Sequence, residues 1–303
     1  MGEKMRLAAA LLTVMLLARA PMDSQLKRVQ ANGAELPYVE RGRGEPVVLI
    51  HGSLVDYREF AGQMDALARK YRVIAYSRRY HWPNDAAAAG PDYSEQLHAD
   101  DLVALITGLK LGGVHLVGHS YGGAVAALVA RDHPELLRSV TLGEPGIFVL
   151  LPQDDATAAF FQELRGIRPQ LMDAIARGDK LGSMKPLMDY LLRPGKFDDL
   201  AEHTRTEMLQ NAGSWERQLN SRAAPMTFTC EDAKKIAAPT LLLVGQNTAP
   251  EFTRVAMEMA KCLPKVKVQI VAGSGHGLFF DRPAAVNTVL LDFLAANSGS
   301  RSP

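Results

Sequence analysis

A serine with a glycine two residues to either side, Gly118-His119-Ser120-Tyr121-Gly122, lies between the apolar run Val114–Val117 and the Ala/Val-rich stretch Ala124–Ala130. As a bare pattern, Gly-x-Ser-x-Gly arises easily by accident. Between a buried strand and a buried helix it reads as a nucleophile elbow, a turn too tight for side chains at its flanks that holds Ser120 in a strained conformation. The helix that starts at once would aim free N–H groups and the positive end of its dipole at the place where an oxyanion forms. A serine hydroxyl is inert at neutral pH unless a base takes its proton, so a histidine has to reach it. Of the eight histidines, His276 is best placed, in Gly273-Ser274-Gly275-His276-Gly277 at the end of an alternating strand, where open α/β sheets build their sites. His115 falls in a strand, His98 and His133 on helices, His51 at a strand-to-loop corner and His119 inside the elbow, positions that suit structural roles. A His276 base implies loss of activity on acidification through roughly pH 6 to 7, around the ordinary histidine pKa of about 6.5.

Ser120 and His276 meet only if the intervening chain returns repeatedly to one edge of a sheet. Its pattern predicts that return. Leu26–Asn32 and Ala34–Arg41 read as antiparallel edge strands joined at Asn32-Gly33. Val47–Ile50 then reads as a central strand covered on both faces. Helix and strand alternate from there: helix 57–69, strand 72–76, helix 95–109, strand 114–118, helix 121–133 and strand 137–142. Between about 146 and 233 only helix-like pieces occur, punctuated by Pro152, Pro169, Pro186, Pro194 and Pro225. The sheet resumes with Pro239–Gly245, helix 251–263, strand 266–271 and a closing helix 283–295. This is an α/β chain with a mostly parallel, doubly wound sheet. Residues 22–145 and 234–297 make the core, 146–233 an inserted helical cap, and 298–303 a frayed tail. Methionines and aromatics in the insert should mostly pack its own small core, with some, Phe148 and Trp215 among them, lining an apolar pocket over the sheet.

Composition excludes several classes. With 303 residues, net charge +1, 47% hydrophobic and 22% charged residues, the chain is an ordinary globular one. No basic patch points to nucleic acid. Met1–Ala20 carries Lys4 and Arg6, an apolar run Leu7–Ala18 and then Ala18-Arg19-Ala20, a signal-peptide layout too short for a membrane anchor of about 20 apolar residues. Export to a periplasm or medium is the expectation; Pro21 is a poor residue after the cut, and a start at Met22 would leave the protein cytoplasmic. Cys230 and Cys262 match no metal spacing, and pairing or two buried thiols both fit.

Strand-His51-Gly52, Gly118–Gly123, a cap after the sixth core strand, Pro239–Gly245 and Gly273–His276 before a last helix occur in this order. The chain resembles the α/β-hydrolase fold family over nearly its whole length after the leader. The resemblance implies oxyanion donors at the N–H of Tyr121 and of Ser53 or Leu54. Many relatives also carry an aspartate after the strand that here ends in Gly245-Gln246-Asn247-Thr248, and Thr248 cannot do that work. A minority supplies the acid at the end of the strand before the cap, where this chain has Glu144; Glu251 in the following loop, or no working acid, is the alternative. The acid would fix the tautomer of His276 and stabilise the imidazolium.

Arg78 and His81, in the unusual Tyr76–Asn84 stretch, are candidates to bind a substrate carboxylate, although an arginine so near a core more often forms a structural ion pair. The expected activity is cofactor- and metal-independent hydrolysis of a carboxylic ester or lactone of a small, mostly apolar molecule through an acyl-enzyme. The same three residues could serve amide, peracid or carbon-carbon hydrolysis, or stand idle in a ligand-binding receptor.

Overall fold

Runs such as Val47–Ile50 and Leu241–Val244 have no polar face to show to water, so strands made of them need cover on both sides. The computed structural model, which describes residues 26–192 and 196–299, covers them with helices. The hairpin of β1 (Lys27–Ala31) and β2 (Ala34–Arg41) turns at Asn32 and Gly33, both with positive φ, as a two-residue hairpin loop demands. There follow β3 (Pro46–Ile50), α1 (Ala61–Leu67), β4 (Arg72–Tyr76), α2 (Glu95–Gly108), β5 (Val114–His119), α3 (Tyr121–Asp132) and β6 (Leu137–Gly143). The insert holds α4 (Asp155–Ala176), α5 (Lys185–Leu192), α6 (Lys196–Asp199), α7 (Glu202–Gln210), α8 (Ala212–Leu219) and α9 (Cys230–Lys234). The chain ends with β7 (Thr240–Gly245), α10 (Pro250–Cys262), β8 (Val266–Val271), α11 (Leu278–Asp281) and α12 (Pro283–Ala296).

The eight strands lie in the order β1-β2-β4-β3-β5-β6-β7-β8, with β2 antiparallel to both its neighbours and every later pairing parallel. After β3 the chain adds β4 on one side and β5 on the other. The ends of β3 and β5 therefore flank a switch point, where α/β sheets open a crevice for ligands. Buried Ala124–Ala130 of α3 packs on one face with Leu102 and Leu105 of α2; Met64 and Leu67 of α1 cover the other with Val286 and Leu290 of α12. Each fully buried leucine, valine or methionine among them stabilises the fold by about 1.5–3 kcal/mol.

Several elements differ from the sequence reading. The helix expected over 57–69 enters through a tighter turn, Tyr57–Phe60, capped by the Asp56 carboxylate on Arg58 N, before α1 begins. Pro169 does not break the insert: α4 runs straight through it on an exposed face, where the Arg165 carbonyl that it leaves unbonded can turn to water. Ser298 and Gly299, expected to fray, are tied down by Ser298 Oγ on Leu294 O at 2.9 Å and Gly299 N on Glu45 at 3.2 Å. Cys230 and Cys262 form a disulfide that joins the start of α9 to the end of α10. The leader Met1–Ala20 and Met22 lie outside the described residues. No helix among the described residues is long and apolar enough to cross a membrane.

Candidate active site

The elbow forms because nothing larger than glycine fits beside it. A Cβ at Gly118 would lie 2.4 Å from Gly122 O, and one at Gly122 would lie 2.2 Å from Ile50 O. Ser120 sits between them at φ +52°, ψ −117°, with its N–H bonded to Gly143 O at 2.8 Å and its carbonyl accepting from Gly146 N at 3.0 Å. Leu54 and Glu144 also hold positive φ, +62° and +44°. Left-handed conformations of this kind are costly for such residues and gather where function fixes the chain.

Three side chains converge on the crevice. Ser120 Oγ lies 3.1 Å from His276 Nε2, and His276 Nδ1 lies 2.5 Å from Glu144 Oε2. A hydrogen on Nδ1 facing the carboxylate leaves Nε2 as an acceptor for the serine proton. Glu144 is fully buried at the end of β6, where Gly245 N donates to Oε1 at 2.7 Å and Thr248 Oγ1 donates to Oε2 at 2.8 Å. Thr248 thus stands where many relatives carry their acid and serves the carboxylate that reaches in from the neighbouring strand. Glu251 lies in the first turn of α10, and the Nδ1 position is already taken by Glu144. Burial pushes the His276 pKa below the ordinary histidine value, with Glu144 pulling the other way. The acid limb expected from sequence at pH 6 to 7 therefore moves lower. Phe252 stacks on the His276 ring at 4.0 Å between centroids.

Sequence reasoning missed a second carboxylate-imidazole pair beneath the first. Glu59 Oε1 accepts from His119 Nδ1 at 2.5 Å, Glu59 Oε2 accepts from Gly52 N at 3.0 Å, and His119 Nε2 donates to His276 O at 2.8 Å. Both ring nitrogens of His119 face acceptors. Burial disfavours its charge, but Glu59 more than offsets this and the pKa is raised. The pair joins the loop after β3, the elbow and the His276 loop in one bonded unit. Glu59 lies 60 residues before His119, so no local pattern announces the contact.

The loop after β3 rests on the elbow: a Cβ at Gly52 would be 3.3 Å from Ser120 Cβ. Ser53 borders the cavity and its hydroxyl donates to Gln218 of α8 at 3.1 Å. Leu54 is fully buried and its side chain packs with Val55, Met208 and Trp215. Tyr121 opens α3 directly beside Ser120, and the first N–H groups of a helix have no partner within it.

Arg78 and His81 are not where the sequence reading put them. Arg78 is fully buried beneath the loop, donating to His51 O at 3.2 Å, Gly52 O at 2.8 Å and Tyr93 Oη at 2.7 Å. It forms neither the carboxylate site nor the ion pair; Arg79 makes the ion pair, with Asp101 at 2.6 Å. His81 is buried against Val55 O and Tyr93 Oη, and burial, reinforced by Arg78, holds its pKa well below the ordinary value. Neither residue borders the cavity.

That cavity, about 250 Å³, opens over Ser120 and His276 under the insert. Phe148 and Trp215 line it as expected, joined by Leu187, Met188, Leu191 and Met208. Phe160, Phe161 and Phe228 instead pack on the core face that carries α3. Among the described residues no group of three or more histidine, cysteine or acidic side chains is arranged to hold a metal.

The sequence profile of the alpha/beta hydrolase family matches residues 47–289, which include the elbow, Glu144 and His276. The chain belongs to that family. It is similar to a non-heme chloroperoxidase, CPO-A1, of Kitasatospora aureofaciens, 28% identical over 257 residues that cover 82% of this chain and 90% of that protein. It is also similar to epoxide hydrolase 3 of Xenopus tropicalis, 26% identical over 88% of this chain and 76% of the relative. Among solved structures, a thermophilic esterase from Thermogutta terrifontis superposes with a TM-score of 0.72 at 22% identity, covering 91% of this chain and all of the esterase (100%). These relatives differ in reaction, so the family supports a hydrolase and leaves the bond cleaved to the residues of the site.

Proposed function

We propose that the protein is a serine hydrolase that cleaves a carboxylic ester or lactone of a small, mostly apolar molecule through an acyl-enzyme. The observation that carries the reading is the unbroken relay from Ser120 Oγ through His276 to buried Glu144, at 3.1 and 2.5 Å, beneath an apolar cavity. Ser120 attacks the carbonyl carbon while His276 Nε2 takes its proton. The developing oxyanion faces the N–H groups of Tyr121 and of Ser53 or Leu54, which gain most from charge that appears only in the transition state. His276 then returns the proton to the leaving alcohol. Water, activated by the same imidazole, releases the acid.

Glu144 keeps the hydrogen on Nδ1 and stabilises the imidazolium at both steps. The Glu59–His119 pair keeps the His276 carbonyl and the Gly52 N–H in register. Carbon-carbon hydrolysis of an acidic substrate fits less well, because Glu59 and Glu95 border the cavity and no lysine or arginine among the described residues does. The test is turnover of short-chain aryl esters and lactones by the native protein and by Ser120→Ala. Loss of the hydroxyl should cost on the order of 10⁴-fold or more in kcat with the fold intact. Retention of more than a few per cent of activity would remove Ser120 from the mechanism, and no turnover or acylation by the folded native protein would favour a receptor.

A further inference from the structure

The cavity wall carries four ionisable side chains whose state matters to a ligand: Glu59, Glu95, His119 and His276. Three are committed. Glu59 and His119 bond one another, and His276 bonds Ser120 and Glu144. Glu95 is left. It is the first residue of α2, after the Ser94 cap, and among the described residues its carboxylate meets only its own backbone N–H.

The cations in its neighbourhood are spent elsewhere. Arg78 gives its donors to two backbone carbonyls and Tyr93, and Arg131, on the outer side of the same wall, is paired with Asp132 at 2.7 Å. Burial pushes the Glu95 carboxyl upward, with its own N–H and the charge of Arg78 only partly opposing. Beside it, the Tyr121 hydroxyl is enclosed and has no hydrogen-bond partner among the described residues. The cavity therefore holds, next to the residue that follows the nucleophile, a partly buried carboxyl group that no lysine or arginine side chain among the described residues pairs with.

We propose that Glu95 is a specificity determinant that receives a protonated amine, so that the preferred substrate is an ester or lactone whose apolar arm ends in an alkylammonium group. The arm lies along Leu187, Met188, Leu191 and Trp215, and the ammonium completes an ion pair that the fold leaves open. In this partly desolvated setting a charge-assisted hydrogen bond is stronger than at the open surface, and a substrate carboxylate meets repulsion instead. The word substrate rests on the hydrolase reading; the binding site does not.

The test is calorimetric titration of hexylammonium and hexanoate into the native protein, Glu95→Gln and Glu95→Asp, with thermal melting to check each fold. The native protein should bind hexylammonium on the order of 10- to 100-fold more tightly than hexanoate. Glu95→Gln should bring the two within about threefold, while Glu95→Asp, with its charge on a shorter arm, keeps part of the preference. Hexanoate binding as tightly as the amine, a preference that survives Glu95→Gln, or no measurable amine binding at millimolar concentration would each overturn the proposal. Because binding is read without turnover, amine preference in a protein that hydrolyses no ester would retire the hydrolase reading alone. Ester hydrolysis without amine preference would retire only this site.

Discussion

Replacing Glu144 by glutamine puts an amide where three donors meet a carboxylate. Oε2 accepts from His276 Nδ1 at 2.5 Å and Thr248 Oγ1 at 2.8 Å, and Oε1 accepts from Gly245 N at 2.7 Å. Only one amide orientation avoids a buried clash. With its oxygen toward His276, the NH₂ group would face the Gly245 N–H, leaving two enclosed donors opposed at a cost of about 1–3 kcal/mol. With its oxygen toward Gly245, the NH₂ group faces Thr248, whose hydroxyl can turn to accept, and His276 Nδ1, which must then give up its hydrogen. The imidazole shifts to the tautomer with its hydrogen on Nε2 and can no longer take the serine proton. Turnover of a short-chain aryl ester should fall by about 10² to 10⁴-fold. Thermal melting and circular dichroism of the variant should remain those of a folded protein. Near-normal turnover in Glu144→Gln, together with collapse in Glu251→Gln, would refute the assignment and move the acid to α10.

The other expectations follow from the same geometry. The folded His276 has a lowered pKa and is active when neutral, so kcat/KM for a chemistry-limited substrate should hold as pH falls to about 6.5 and drop with a single proton below it. An acid limb centred above that value would contradict the burial argument. Arg78→Met should reduce activity on neutral and carboxylated esters alike, because it frees the carbonyls of His51 and Gly52 behind the oxyanion loop. Loss confined to carboxylated esters would return Arg78 to the substrate site. Opening the Cys230–Cys262 bond, which closes a loop with a sequence separation of 32, should lower stability by about 3–4 kcal/mol. A melting temperature unchanged by reductant, or by Cys230→Ser with Cys262→Ser, would show that the bond contributes nothing.

Much of the site was legible because its elements carry their own signals. Val114–Gly118 and Ala124–Ala130 declare a buried strand and a buried helix, and the glycines between them admit few geometries. Glu144 was legible through the family resemblance, since Thr248 occupies the commoner acid position and Glu144 the one that a minority of the family uses. Contacts between distant elements were not. Arg78 follows a central strand in either reading, and whether its guanidinium meets a substrate, a carboxylate or two backbone carbonyls depends on where the loop after β3 turns. Glu59 and His119 find each other only once the sheet is assembled. In the insert, composition names the apolar residues but not the helix rotations that put Met188 and Met208 on the cavity, nor that Met184, buried in the turn before α5, does not line it. Pro169 misled because its ring removes one bond of the helix ladder without ending it, and on an exposed face the freed carbonyl can turn to water.

Covalent labelling tests, without knowledge of the substrate, whether Ser120 is a nucleophile activated by His276. Native protein treated with a fluorophosphonate should gain one adduct, mapped by mass spectrometry to Ser120. The adduct should be absent in Ser120→Ala, slowed by orders of magnitude in His276→Gln, and lost on acidification in step with esterase activity. An adduct on any other residue, or none on a protein whose melting curve shows it folded, would contradict the account.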